Sequence, residues 1–110
     1  MIICTPITPS GEIGHSWGRA HTVALMTVEA GEIVASETMD VSWDSLHDQG
    51  TEGSHHARVA RFLKDHRVNV VLASHMGAPM SNMIDKLGIR LVLGAVGDAR
   101  EAALKAEVTA

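Results

Sequence analysis

Seven histidines, His15, His21, His47, His55, His56, His66 and His75, carry most of the side-chain chemistry this sequence offers. Neutral imidazole is a metal ligand and the ordinary acid-base group near neutral pH, so a histidine-rich chain raises the question of a metal or anion site. Arg19 adds a fixed positive charge, and Met76 and Gly77 follow His75 directly. The spacing contains neither an HExxH pair nor paired CxxC motifs, so it carries no strong mononuclear zinc signature. His55 and His56 are adjacent, and neighbours on a helix project about 100° apart, which sets the two rings toward different partners. Cys4 is the one cysteine and lies inside an apolar run, which reads as a buried, inert thiol, with a soft-metal role as the alternative given its place two residues below the rim. Glycines 11, 14 and 18 do not form GxGxxG, and no GxSxG elbow is present, which excludes a dinucleotide fingerprint and a serine-hydrolase nucleophile.

The elements that must position these groups follow from the apolar pattern. Met1 to Thr5 reads as a strand buried on both faces, ended by Pro6 and Pro9, and residues 7 to 18 form a long loop. His21 to Glu29 and Glu32 to Asp40 make a hairpin about the Ala30-Gly31 turn. A second polar loop, 41 to 53, leads to Ser54, which is read as the N-cap of a helix with Val59, Phe62 and Leu63 inward. Val68 to Ser74 has the continuous apolar run of a central parallel strand. A helix with Pro79 in its first turn follows, presenting Met80, Met83, Ile84 and Leu87, and Gly88 ends it. Ile89 to Leu93 is a fifth strand, and Asp98 with Glu101 opens a last helix with Ala99, Ala102, Ala103 and Ala106 inward.

The order βββαβαβα, with right-handed crossovers and an adjacent hairpin, predicts one α/β domain over residues 1–110. Its expected form is a five-stranded mixed sheet of order 3-2-1-4-5, the ribonuclease H-like topology, with flanking helices. In that topology the first, third, fourth and fifth strands end on one rim, where open α/β sheets bind ligands. His15, His21, His47, His55, His56 and His75 all fall on that rim, and only His66 lies at the opposite end. The three helices also begin there, so their free amides and dipoles favour an anion. The expected site therefore combines His15, Arg19, His47, His55, His56, His75, Met76 and Gly77, with His15 and His75 as metal ligands.

Composition narrows the partners. Nine basic against 13 acidic side chains give a net charge of -4, and only 3% of residues are aromatic, which argues against nucleic acid. No apolar run approaches the ~18 residues of a membrane span. One unpaired cysteine and the lack of a basic, apolar leader point to the cytoplasm. The first strand, Ile2-Ile3-Cys4-Thr5, supplies no carboxylate for the paired Mg²⁺ ions of a ribonuclease H-type nuclease, and nucleophilic catalysis has no concrete candidate. A non-enzymatic protein is therefore expected, with a small hydrolase using a His-bound metal as the last alternative. The third strand is an exposed edge on which a second copy can pair.

Four segments carry a resemblance, in order along nearly the whole chain: Trp17-Gly18-Arg19-Ala20, Gly50 to His56, Val70 to Gly77, and Leu87-Gly88-Ile89 through Leu93-Gly94. Together they resemble the dinitrogenase iron-molybdenum cofactor biosynthesis family. Members commonly carry His directly before the aromatic of an HFGRA segment; here Ser16 holds that place and His15 precedes it. The glycine-rich stretch is reduced to Gly50 and Gly53, and His75 stands where a small residue precedes Met-Gly. The resemblance implies a ribonuclease H-like fold that binds or carries an iron-sulfur or molybdenum-containing cluster or its metal precursor. A protein that donates or accepts the cluster is the implied partner. The alternative is an interaction module that kept the fold and lost the ligand.

Overall fold

The structure is a computed structural model that describes residues 1–108. Five strands, β1 (Ile2–Pro6), β2 (Thr22–Glu29), β3 (Glu32–Asp40), β4 (Val70–Leu72) and β5 (Arg90–Val92), form one mixed sheet of order β3-β2-β1-β4-β5. The expected topology is the observed one. β2 runs antiparallel to both β1 and β3, whereas β1, β4 and β5 are mutually parallel, so β1, β3, β4 and β5 all end on the same rim. The hairpin turns through Ala30 (φ 50) and Gly31 (φ 79), two positive-φ residues whose twist matches that of the flanking strands.

Four helices complete the fold: α1 (Trp43–Leu46), α2 (Glu52–Asp65), α3 (Ala78–Lys86) and α4 (Ala99–Val108). Two of these differ from the sequence expectation. α1 lies within the stretch 41 to 53 read as loop, because Trp43 buries there and draws one helical turn onto the core. α2 begins three residues earlier than read, since Thr51 and not Ser54 is its N-cap. Thr51 Oγ1 accepts the Ser54 amide at 3.0 Å, and Ser54 Oγ accepts the Thr51 amide at 3.0 Å. A small hydroxyl at the third helical position replaces the longer Glu or Gln of the usual box, which is why the pattern hid it.

Strand alternation divides the core between two faces. Cys4, Val23, Leu25, Val71 and Ala73 pack with Val59 and Leu63 of α2 and with Met80 and Ile84 of α3. Ile3, Ala24, Met26, Val28, Val70 and Leu72 pack instead with Ala99, Ala103 and Ala106 of α4. The first face holds every aromatic residue of the chain. Trp17 meets Trp43 at 5.1 Å between ring centroids, and Trp43 meets Phe62 at 5.6 Å, both edge to face. Each such contact adds about 0.5–1.5 kcal/mol beyond its area burial.

Candidate functional site

The residues at the rim build a cavity of about 580 Å³ over the face shared by α2 and α3. Its walls come from the loop Ser16 to Arg19, the stretch after α1 with His47, Asp48 and Gly50, the first turn of α2, and the loop His75 to Gly77 running into α3. Arg19, His47, His55, His56, His75, Met76 and Gly77 are thus brought together. His15 is not among them: it is exposed and lies outside the cavity. Residues 7 to 14 fold back toward α4, with the Ile13 amide donating to the Gly97 carbonyl and the Ala99 amide to that of Gly11. That tie holds the segment on the opposite side of the sheet from the α2–α3 face. His21 also points elsewhere, its Nδ1 3.2 Å from Asp44 Oδ1.

His55 is only 3% exposed, and both of its ring nitrogens are engaged. Nε2 lies 2.8 Å from the Gly18 carbonyl, which can only accept, so Nε2 carries the proton. Nδ1 then accepts from the Arg58 guanidinium at 2.7 Å. Burial pushes the His55 pKa below its ordinary value, the nearby His47, Arg58 and His56 push the same way, and only the Gly18 hydrogen bond opposes. His55 is therefore a neutral ring that ties the Ser16 to Arg19 loop to α2, with no lone pair left for a ligand.

The remaining imidazoles stand at the opening. The His47 ring meets His55 edge to face at 5.0 Å, and its Nδ1 lies 3.2 Å from Asp48 Oδ1. That hydrogen bond, followed by the charge of Arg19 at 3.9 Å, holds the Asp48 carboxyl below its ordinary range. His56 Nε2 is 3.9 Å from Glu52 Oε1 one turn earlier on α2. His75 is exposed on its loop and makes no hydrogen bond to another described residue. The two acids of the lining each sit beside a base, Asp48 by His47 and Arg19 and Glu52 by His56, whereas His75 stays uncommitted.

The two helix starts at the cavity differ. α2 is capped by side chains, with Thr51 Oγ1 taking the Ser54 amide and Ser54 Oγ taking that of Thr51. α3 starts at Gly77 with no side-chain cap and with Pro79 in its first turn, so the amides of Ala78 and Met80 are open toward an anion. Sequence reading missed the aromatic lining of this cavity. Trp17, 1% exposed, lines it, and Trp43, 2% exposed, packs edge to face against Trp17; the i, i+3 pair Trp43 and Leu46 in a polar stretch was the available signal.

Among the described residues no group of three or more His, Cys, Asp or Glu side chains is placed to hold a metal ion. Cys4 lies at 0% exposure in the core, where burial pushes its thiol pKa far above the ordinary value. A bare metal ion held by protein ligands alone does not fit this donor set. An anion that brings its own sulfide or oxide ligands does fit, needing only outer contacts from a guanidinium, an imidazole and helix-start amides.

Known proteins agree with this fold. The protein PH0822, known from a crystal structure, superposes with a TM-score of 0.76 at 21% identity, over 99% of this chain and 91% of its own. The apo form of the orange protein from Desulfovibrio gigas gives 0.70 at 18% identity, covering 98% and 87%. A putative NifB protein from Thermotoga, assigned to the DUF35 family and solved by NMR, gives 0.69 at 17% identity, covering 97% and 87%. No curated protein matches the sequence. No helix among the described residues is long and apolar enough to cross a membrane. The model of the dinitrogenase iron-molybdenum cofactor family matches residues 1–108, and the chain belongs to that family.

Proposed function

We propose that this chain carries, without catalysing any reaction, a preassembled iron-sulfur or molybdenum-containing cluster or its precursor in the rim cavity. The observation that carries the reading is the convergence of Arg19, His47, His56 and His75 with the uncapped start of α3 on one cavity of about 580 Å³. Arg19 and the α3 amides oppose the negative charge of a sulfide-rich cargo. His75 offers an imidazole nitrogen to an exposed metal of the cluster, with the soft Met76 thioether alongside. Membership of a family named for the iron-molybdenum cofactor supports the cargo's class. An open rim and the absence of a closed ligand set among the described residues suit transient holding and transfer to a donor or acceptor protein.

Anaerobic purification, followed by reconstitution with iron and sulfide in the presence and absence of molybdate, tests the reading. We expect bound metal and acid-labile sulfide with visible absorption. A colourless, metal-free protein after reconstitution would replace the carrier with an interaction module that has no cargo.

A further inference from the structure

Trp17 is 1% exposed and lines the rim cavity, yet its indole N–H has no hydrogen-bond partner. Among the described residues it is the one buried side-chain donor or acceptor left without one. Two carbonyls of its loop are already engaged: that of Trp17 accepts the Ala20 amide at 3.2 Å, and that of Gly18 accepts from His55. The backbone is fixed while the donor on the side chain is not used. An unmet N–H can be satisfied only by an acceptor, so it discriminates by the sign of the ligand: a bare cation gives it nothing, whereas an oxide or sulfide atom gives it a charge-assisted partner.

We propose that Trp17 contacts the ligand of this cavity, its indole N–H donating to an oxo or sulfido atom of a bound metal-containing anion. The proposal rests on the carrier reading and deepens it by naming the residue that selects an acceptor-bearing anion over a cation. In the ligand-free arrangement the N–H has essentially no exposed surface, so contact requires the indole to turn toward the cavity. Met76 and Met80 share the lining, and unbranched thioether side chains yield to such a turn more readily than branched ones.

Two diamagnetic probes, molybdate and tetrathiomolybdate, allow the indole N–H to be watched directly in ¹⁵N-labelled protein. The chain has two tryptophans, so W17F assigns both indole signals by removing one. We expect the Trp17 N–H resonance to move downfield on titration with at least one probe, the Trp43 resonance to move much less, and W17F to bind that probe about ten- to a hundredfold more weakly. Replacing Trp17 by benzothienylalanine, which keeps ring shape and lacks the N–H, gives the same loss without a packing change. If a probe binds while the Trp17 signal stays put and both variants keep their affinity, the indole is a structural residue and the inference fails with the carrier reading intact. If neither probe binds and reconstitution with iron and sulfide also loads nothing, the carrier reading itself falls and this inference with it.

Discussion

The two faces of the sheet solve the same packing problem with different residues. On one, α4 lies close to the strands through Ala99, Ala103 and Ala106, small side chains that carry no polar atom. On the other, α2 and α3 stand over bulkier contents: both tryptophans, Phe62, a buried histidine and an orphaned indole N–H. A face that only had to be stable would not bury groups of this kind, since an unsatisfied buried donor costs about 1–3 kcal/mol. The contrast is what the proposed carrier site over α2 and α3 would require.

Substitutions on the two faces sharpen the contrast. Trp43→Ala removes the centre of the aromatic cluster and should cost about 3–5 kcal/mol, measured by urea unfolding, together with cargo loading, because Trp17, which lines the cavity, loses its edge-to-face partner. Ala103→Leu forces a larger side chain into the α4 contact at a fully buried position and should cost about 1–3 kcal/mol while the folded fraction loads normally. Equal loss of loading per folded molecule in both variants would break the distinction between the faces.

Acid should act through the site face. Because His55 has a depressed pKa when folded, the unfolded chain binds its proton first, and stability is full above the unfolded value of ~6.5. It falls as pH drops through ~6.5 toward the lowered folded value, since a proton on Nδ1 would displace the Arg58 donor. Denaturant midpoints between pH 7.5 and 5 should show this slope, and His55→Gln should flatten it. The lowered Asp44 and Asp48 carboxyls act in a separate, more acidic window, below their ordinary ~4. The smallest stability effect belongs to His75→Ala, whose exposed side chain should leave the midpoint within about 0.5 kcal/mol of the parent.

Strand order was legible because each clue was local and repeated: the hairpin turn at Ala30-Gly31, the apolar run through Val70, and the helix signals at Pro79 and Asp98 all agree with one topology. The rim placement of His47, His55, His56 and His75 followed from that order alone. What the order could not reveal is which way a rim residue faces. His15 leaves the cavity because backbone bonds to Gly97 and Ala99 hold residues 7 to 14 over the far side of the sheet, a pairing between segments some 85 positions apart. His55 turned inward because Gly18 and Arg58 both reach it, and no single-sequence pattern couples those three residues. α1 was hidden by the polar neighbours of Trp43.

The central claim, that the cavity over α2 and α3 holds the cargo, is tested most directly by metal and sulfide bound per chain after anaerobic reconstitution, in the parent protein and in Arg19→Ala/His75→Ala. Both side chains are exposed, so the double variant should fold as the parent does while its bound metal and sulfide fall at least about tenfold. Equal loading of parent and double variant would contradict the account and move the cargo away from this rim.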